Sequence, residues 1–171
     1  MVDVPIPADQ LHDPFERQVP GFGLGRDPVR TPMPWSSERH GGFTDGHPWL
    51  PLNPDVAVLN VASQAGDQRS MLSLYKCLIQ LRRSCAELTV GGFRLVSADG
   101  GVLAYSRTLG ESEVLIALNM TDHLQVYRCK ERPREMLLST YLDRPALWGT
   151  EEGRLRANEG LVLRMQPMAS Q

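Results

Sequence analysis

The chain has 171 residues, of which 42% are hydrophobic and 22% are charged, and its formal net charge is -2. This length and composition are typical of a globular protein with one domain, or with one domain and a large appendage. A near-neutral charge argues against nucleic acid or an anionic membrane as a partner, and no apolar run approaches the roughly 18 residues of a membrane-spanning helix.

The N-terminal stretch "MVDVPIPADQ" has no basic region followed by an apolar core, so we expect no secretory signal. The cysteines, Cys77, Cys85 and Cys129, are odd in number and scattered along the chain. They therefore indicate reduced thiols and a cytoplasmic location rather than a disulfide framework.

The sequence predicts neither a cofactor nor a metal site. The segment "GFGLG" lacks the following helix and the lysine of a phosphate-binding loop. Cysteine and histidine pairs at metal-ligand spacing are absent from the sequence. His40 and His47 share one stretch of chain, and we interpret them as solvent-exposed loop histidines.

Prolines set the character of the first third of the chain. Ten of the 13 prolines fall before residue 55. Because proline fixes φ and lacks an N–H donor, only short helices or strands fit in this region. The sequence predicts that residues 1–66 form one long loop, and a loop of this length usually has a function or needs a supporting structure.

The stretch "GLGRDPVRTPMPW" places two arginines on a rigid segment of this loop. Arg26, Asp27 and Arg30 either brace the loop by bonding its backbone, or present a guanidinium to a polar ligand or a carboxylate partner. Its prolines would lower the entropic cost of the second role. Trp35 either offers a ring to a sugar or anchors the loop in a core. The residues by themselves leave these interpretations open.

The segment "DQRSMLSLYKCLIQLRRSC" has the spacing of an amphipathic helix, predicted from about Asp67 to Ser84. Asp67 or Ser70 can cap its start, and two arginines suit its C-terminal end. Cys77 lies on or next to the apolar stripe and is interpreted as a structural thiol. The stripe consists of Met71, Leu72, Leu74, Tyr75, Leu78, Ile79 and Leu81.

After Leu88 the pattern predicts strands. "GGFRLVSADGGVLAYSRT" is typical of a hairpin that turns at residues 99–101, and "EVLIALNM" is typical of a buried strand. "HLQVYRC" and "EMLLST" are further candidates, and "GRLRANEGLVLRMQ" indicates a closing strand with a turn near residues 158–160. Five or more short strands bounded by turn residues indicate an antiparallel β-sandwich.

Four strings, in order, resemble a known family: "GRDPVRTPMPW", "GGFT", "PWLPLNPD" and "NVASQAGDQRSMLSLYKCLIQLRR". They are similar to the C-terminal part of alpha-glucosidases of glycoside hydrolase family 13, in the alpha-amylase superfamily, which includes oligo-1,6-glucosidases and trehalose synthases. The resemblance covers roughly residues 1–83. Beyond Phe93 it is a resemblance of pattern only.

The resemblance implies a mainly β fold with one long helix. Residues 1–66 would be the long loop after the eighth strand of a (β/α)8 barrel, and residues 67–88 its last helix. Residues 89–171 would form the C-terminal antiparallel β domain. The chain would then be the closing portion of a longer enzyme that acts on alpha-glucosides.

The same resemblance implies which functional residues are present. The family's aspartate nucleophile, glutamate acid/base and second aspartate lie on earlier barrel strands and have no counterpart here, so we expect no hydrolase activity from this chain alone. Arg26 resembles the family arginine that pairs with a barrel aspartate and lines the pocket for the non-reducing glucose. Asp27, Arg30 and Trp35 would brace the loop, and the partner of Arg26 would lie outside this sequence.

Two departures from the family pattern leave the reaction open among hydrolysis, isomerisation and transglucosylation. Pro34 stands where relatives often have glutamine before the tryptophan. The stretch His40-Gly41-Gly42-Phe43 replaces the asparagine-alanine-glycine-phenylalanine that relatives tend to have.

The alternative is a free-standing β-sandwich module that binds carbohydrate or protein. Such a module would expose aromatic rings on one face, whereas strand alternation predicts that most of these rings point inward. The rings in question are Phe93, Tyr105, Tyr127, Tyr141 and Trp148. A chaperone-like or regulatory role finds no specific support.

The apolar helix stripe and four apolar side chains of the loop would pack against the missing N-terminal barrel. Without a partner chain that supplies this barrel, the exposed apolar surface predicts self-association. The four side chains are Trp35, Phe43, Trp49 and Leu50.

Overall fold

A computed structural model of the chain describes residues 4–129, 133–143 and 152–166. The chain divides between Leu72 and Ser73 into two compact units. Among the described residues, no helix combines the length and the apolar character that crossing a membrane requires.

The first unit contains short helices joined by irregular chain. Helix α1 spans Pro14–Gln18 and helix α2 spans Val61–Gly66, and the described part of this unit has no β-strand. This matches the expectation from the prolines, since Pro14 opens α1, Pro54 opens one 3-10 helix and Pro28 is the second residue of another. The 3-10 helices are Ala8–Gln10, Asp27–Val29, Arg39–Gly42 and Pro54–Ala57.

Most large apolar side chains of the first unit remain exposed. Trp35, Phe43 and Trp49 are between 43% and 55% exposed. Leu50, in contrast, is buried, so the expectation that it belongs to an outward apolar surface is wrong. Hydrogen bonds from polar side chains to the backbone fix much of the conformation of this unit instead. Asn60, for example, caps α2 through a reciprocal pair of hydrogen bonds with Ser63.

Helix α3 spans Met71–Ser84, and a separate short helix α4 spans Ala86–Val90. The predicted end of the long helix is confirmed, but the helix begins four residues later than Asp67. The reason is that Asp67 forms a turn with the residues that follow: its side-chain oxygen accepts from the Arg69 N–H at 2.8 Å, and its carbonyl from the Ser70 N–H at 3.2 Å.

The second unit is built on antiparallel sheets, as the sequence predicts. Five strands form one sheet in the order β1-β2-β3-β7-β5, and β4 pairs with β6 in a second, two-stranded sheet. The strands are β1 Gly92–Asp99, β2 Val102–Leu109, β3 Ser112–Asn119, β4 Gln125–Arg128, β5 Pro133–Ser139, β6 Glu152–Leu155 and β7 Gly160–Met165.

The predicted hairpin is confirmed, and its turn requires glycine. Gly100 and Gly101 have φ values of 59° and 78°, the left-handed conformation of the favoured two-residue hairpin turns. The predicted closing strand is in part wrong. Its segment forms two strands, β6 and β7, which belong to different sheets.

Both faces of the five-stranded sheet bury apolar side chains. On β3, Leu115 joins a core cluster shared with Leu155 of the two-stranded sheet. Val114 and Ile116, on the opposite face, join a cluster onto which the long helix packs through Leu78 and its neighbours. A strand covered on both faces explains the uninterrupted apolar run in "EVLIALNM".

The α3 stripe is only partly covered. Leu74, Leu78 and Leu81 pack on the sheet. Tyr75 and Ile79 are 60% and 49% exposed. The helix therefore carries a second apolar ridge that the second unit does not bury.

The expected inward orientation holds for two of the four described rings, Tyr105 and Tyr127, which pack on the core clusters, and it is wrong for the other two. Phe93 is 64% exposed because it lies on the edge strand β1, where no neighbouring strand covers the outer side. Tyr141 is 41% exposed and lies beyond the end of β5. Tyr105 and Tyr127 are half-buried, and Trp148 lies outside the described residues.

The cysteines are unpaired thiols, as expected. Cys85 and Cys129 are buried, and burial raises the pKa of Cys129 to about 11. Cys77 is exposed on α3, so of the two expected positions it lies next to the packed stripe and not on it.

A buried carboxylate ties α4 to the sheet. Glu87 accepts hydrogen bonds from the Cys85 thiol at 2.9 Å, from the Ser112 hydroxyl, and from Arg164 Nη1 at 2.9 Å. These bonds, led by those from Cys85 and Ser112, lower the pKa of Glu87 from 4.5 to about 2 against the opposing effect of burial.

This contact predicts a specific acid sensitivity. Because the pKa of Glu87 is lower in the folded protein, its contribution is complete above pH 4.5 and is lost as the pH falls toward 2. Replacing Glu87 by Gln should lower the free energy of unfolding at pH 7 by about 1–3 kcal/mol. The difference from wild type should shrink in urea titrations at pH 3. The matched change of exposed Glu135 to Gln should show neither effect; equal pH profiles for both variants would refute the assignment.

Candidate functional site

The sequence-predicted arginine is anchored by a carboxylate of its own chain. Asp13 caps α1 by accepting from the Phe15 N–H at 2.9 Å, and its other oxygen accepts from Arg26 Nε at 3.0 Å. The Asp13 side chain is 1% exposed and that of Arg26 is 64% exposed. Arg26 therefore has an acidic partner within its own chain, which the sequence did not predict, because the cap of α1 brings a carboxylate to it.

A second buried carboxylate lies beside the first. Asp27 accepts from the backbone N–H groups of His12 and Asp13 at 2.6 and 2.7 Å, and it is 1% exposed. It also opens the 3-10 helix that follows Arg26. Two buried carboxylates thus join the arginine segment to the residues before α1.

The electrostatics favour a charged Asp13. The hydrogen bond from Arg26 lowers the pKa of Asp13, and the backbone N–H groups of Phe15 and Arg26 act in the same direction. Arg30 Nη1 lies 3.9 Å from the same carboxylate, too far for a hydrogen bond. Arg26 is therefore the main counter-ion of this buried group.

The outer edge of Arg26 is open. Its Nε is used by Asp13, and within the described residues its two Nη groups make no further hydrogen bond. A guanidinium fixed at one nitrogen and open at the other two can bind a carboxylate or a pair of hydroxyl groups.

Trp35 is held by its backbone. Its N–H donates to the Gly41 carbonyl at 2.8 Å, and its carbonyl accepts from the Ala62 N–H at 3.0 Å. The Trp35 side chain is 51% exposed, so its ring remains open to the solvent.

His40 and His47 lie close to each other in the first unit. The rings of His40 and His47 are 6.1 Å apart, and Arg39 Nε donates to His40 Nε2. Throughout the described part of the chain, no three histidine, cysteine or carboxylate side chains are arranged to hold a metal ion.

Sequence reasoning missed Asp13 and Glu16. Glu16 accepts from the N–H groups of Gly21 and Gly25 at 3.0 and 3.1 Å, which closes the glycine-rich segment before Arg26. The Asp13-Pro14 pair carried a local signal, since aspartate followed by proline is typical of a helix start. Nothing local indicated that the second oxygen of the cap would hold Arg26.

Comparison with known proteins supplies the family. The family model of the alpha-amylase catalytic domain matches residues 1–91. An oligo-1,6-glucosidase of Parageobacillus thermoglucosidasius is 33% identical over 159 residues, which covers 90% of this chain and 28% of that protein. An oligo-1,6-glucosidase of Halalkalibacterium halodurans is 40% identical over 116 residues, which covers 67% of this chain and 20% of the relative.

Solved structures agree with these relatives. Isomaltulose synthase from Klebsiella sp. LX3 has a TM-score of 0.76 at 29% identity, covering 83% of this chain and 26% of that chain. Trehalulose synthase from Pseudomonas mesoacidophila MX-45 has a TM-score of 0.81 at 23% identity and shows the fold alone.

The chain spans between a fifth and a third of the relatives and structures named above. The matched catalytic-domain region covers more than half of the 171 residues. The chain therefore belongs to the alpha-amylase family of glycoside hydrolases.

Proposed function

We propose that this chain supplies the arginine-bearing loop and the C-terminal antiparallel domain of an alpha-glucosidase-like enzyme that acts on alpha-glucosides. In this role Arg26 binds substrate. The observation that carries the proposal is the guanidinium of Arg26, which buried Asp13 fixes at Nε while the side chain remains 64% exposed. The segment belongs to the region that matches the catalytic-domain model.

The anchoring of Arg26 favours binding of a sugar. A glucosyl unit offers neighbouring hydroxyl groups, and a planar guanidinium can donate to two of them at once. Because Asp13 already fixes the inner nitrogen, little side-chain freedom remains to be lost on binding. The two Nη groups would donate to the sugar, to a barrel carboxylate, or to one of each.

The carboxylates around Arg26 are suited to support and not to catalysis. One oxygen of Asp27 accepts from two backbone N–H groups, and both oxygens of Asp13 accept from Arg26 or the start of α1. A retaining glycosidase needs one carboxylate free to attack and a second that carries a proton. We infer that these groups come from the part of the enzyme that precedes the matched region.

The exposed ridge of α3 supports its assignment as the last helix of a barrel. Met71, Tyr75 and Ile79 recur every four residues on one side of the helix, and they are between 49% and 61% exposed. A helix that packs on two layers is expected to be apolar on two sides. The second unit covers one side, and the barrel would cover the other.

The chain alone should be inactive. With p-nitrophenyl alpha-glucoside we expect no turnover from the purified chain. Turnover should appear when the chain is co-expressed with an oligo-1,6-glucosidase truncated to lack the matched region. Co-expression of the same truncated enzyme with residues 86–171 serves as the control and should stay inactive. Turnover by the purified chain would contradict the proposal.

Arg26 should control activity in the reconstituted enzyme. Changing Arg26 to Lys removes the two-pronged donor and should lower kcat/KM about 10- to 100-fold. The matched change of exposed Arg17 to Lys on α1 should leave kcat/KM within about twofold. Equal kinetics for the two variants, at equal melting temperature, would exclude Arg26 from the substrate pocket.

The uncovered ridge should cause self-association. Analytical ultracentrifugation should show concentration-dependent oligomers of the chain, and Ile79→Glu should shift them toward monomer. Adding the truncated enzyme should compete with the self-association. A clean wild-type monomer at high concentration would show that the ridge is not an interface.

A further inference from the structure

A cleft opens in the second unit between the two sheets. Its volume is about 600 Å³, within the range of small-molecule binding sites. It exists because the two-stranded sheet, with strands of four residues each, lies on a five-stranded sheet that is wider than itself. The inner face of β1 is therefore not covered by the two-stranded sheet, and it forms one wall of the cleft.

The floor of the cleft is apolar. Val102, Leu115, Cys129 and Met165 line it, and all four are buried. These residues belong to the core cluster between the sheets, so the floor is fixed by the packing of the unit.

The walls carry hydrogen-bonding groups with unused capacity. Arg94 Nη2 donates to Glu113 Oε1 at 2.7 Å, and the Glu113 side chain is only 12% exposed. Gln125 Nε2 donates to Thr121 Oγ1 at 3.3 Å. Within the described residues, Glu113 Oε2 and Gln125 Oε1 accept no hydrogen bond, and both residues line the cleft.

The charges of the lining balance. Arg94 and Arg128 are matched by Asp99 and Glu113. A site without net charge has no long-range preference for an anion or a cation. It favours a neutral ligand that can both donate and accept hydrogen bonds.

Tyr127 adds an aromatic wall. Its ring packs against the core cluster, and burial raises the pKa of its hydroxyl. An aromatic face next to polar side chains suits the alternating C–H and hydroxyl surfaces of a sugar ring. A purely apolar ligand would leave the polar wall of Arg94, Glu113 and Gln125 unpaired.

We propose that this cleft binds a neutral saccharide of one or two rings, held by Tyr127, Glu113 and Gln125. The site belongs to the antiparallel domain and uses none of the residues around Arg26. It rests on the proposed function only in the choice of alpha-glucosides as probes.

The test is a titration of the full chain with maltose and with isomaltose, followed by backbone amide chemical shifts. We expect saturable shifts at millimolar sugar in residues 94–102 and 125–129. Glu113→Gln and Tyr127→Ala should each weaken binding at least tenfold. The matched changes Glu135→Gln and Tyr75→Ala, outside the cleft, should leave the Kd within twofold. Absence of saturable shifts, or equal Kd values in all four variants, would overturn the proposal.

Two further measurements test whether the ligand is neutral and whether the polar wall takes part in binding. Glucose 6-phosphate should bind no more tightly than glucose, and a tenfold preference for the phosphate would overturn the neutral-ligand assignment. Arg94→Gln, at a 64% exposed side chain, tests the polar wall if Tyr127→Ala fails to fold. It should also weaken binding, and an unchanged Kd would count against the site.

Failure here is distinguishable from failure of the proposed function, because the titration requires neither a barrel nor turnover. The control Arg17→Lys, at an exposed residue of α1, should leave the sugar shifts unchanged. Saturable shifts confined to residues near Arg26, with none in residues 94–102 and 125–129, would assign the sugar to the arginine loop, and the cleft proposal would fail while the proposed function would stand.

Discussion

The arginine loop depends on one buried carboxylate. Asp13 is the N-cap of α1, and its side chain also accepts a hydrogen bond from Arg26 Nε. One side chain therefore connects the N-terminal stretch, the start of α1 and the arginine segment. A carboxylate that is 1% exposed needs hydrogen bonds to nearly all of its lone pairs. Backbone N–H groups and a guanidinium supply them. This requirement fixes where the inner edge of Arg26 must lie, and therefore leaves its outer edge exposed.

The first unit shows how a proline-rich chain is ordered with few apolar side chains inside. Asp27 and Glu16 each accept from two backbone N–H groups that no strand or helix would satisfy. Rings such as those of Trp35 and Trp49 remain about half exposed. In this unit the buried contacts are mainly polar, whereas several large apolar side chains are exposed. Such a distribution suits a loop that packs against a larger structure.

Sequence patterns located the elements whose signals are local. The spacing of Leu74, Leu78 and Leu81 identified the packed face of α3, and Asp99-Gly100-Gly101 identified the hairpin turn. Sequence patterns did not predict features that depend on tertiary contacts, such as the exposure of a ring or a long-range ion pair. Phe93 stays 64% exposed because β1 is an edge strand, and the alternation of residues along a strand does not tell which strand lies at the edge of a sheet. The pairing of Arg26 with Asp13 joins residues that are far apart in the sequence, so motif comparison found the arginine but not its anchor.

The central claim is that Arg26 is anchored from within so that its outer edge can complete a sugar pocket on another part of the enzyme. The most direct measurement is a crystal structure of the chain assembled with a barrel-bearing partner and an alpha-glucoside analogue. Arg26 Nε should keep its hydrogen bond to Asp13, and at least one Nη should lie about 2.7–3.2 Å from a sugar hydroxyl or a barrel carboxylate. An analogue bound with Arg26 turned to solvent, or with Asp13 released from it, would contradict the claim.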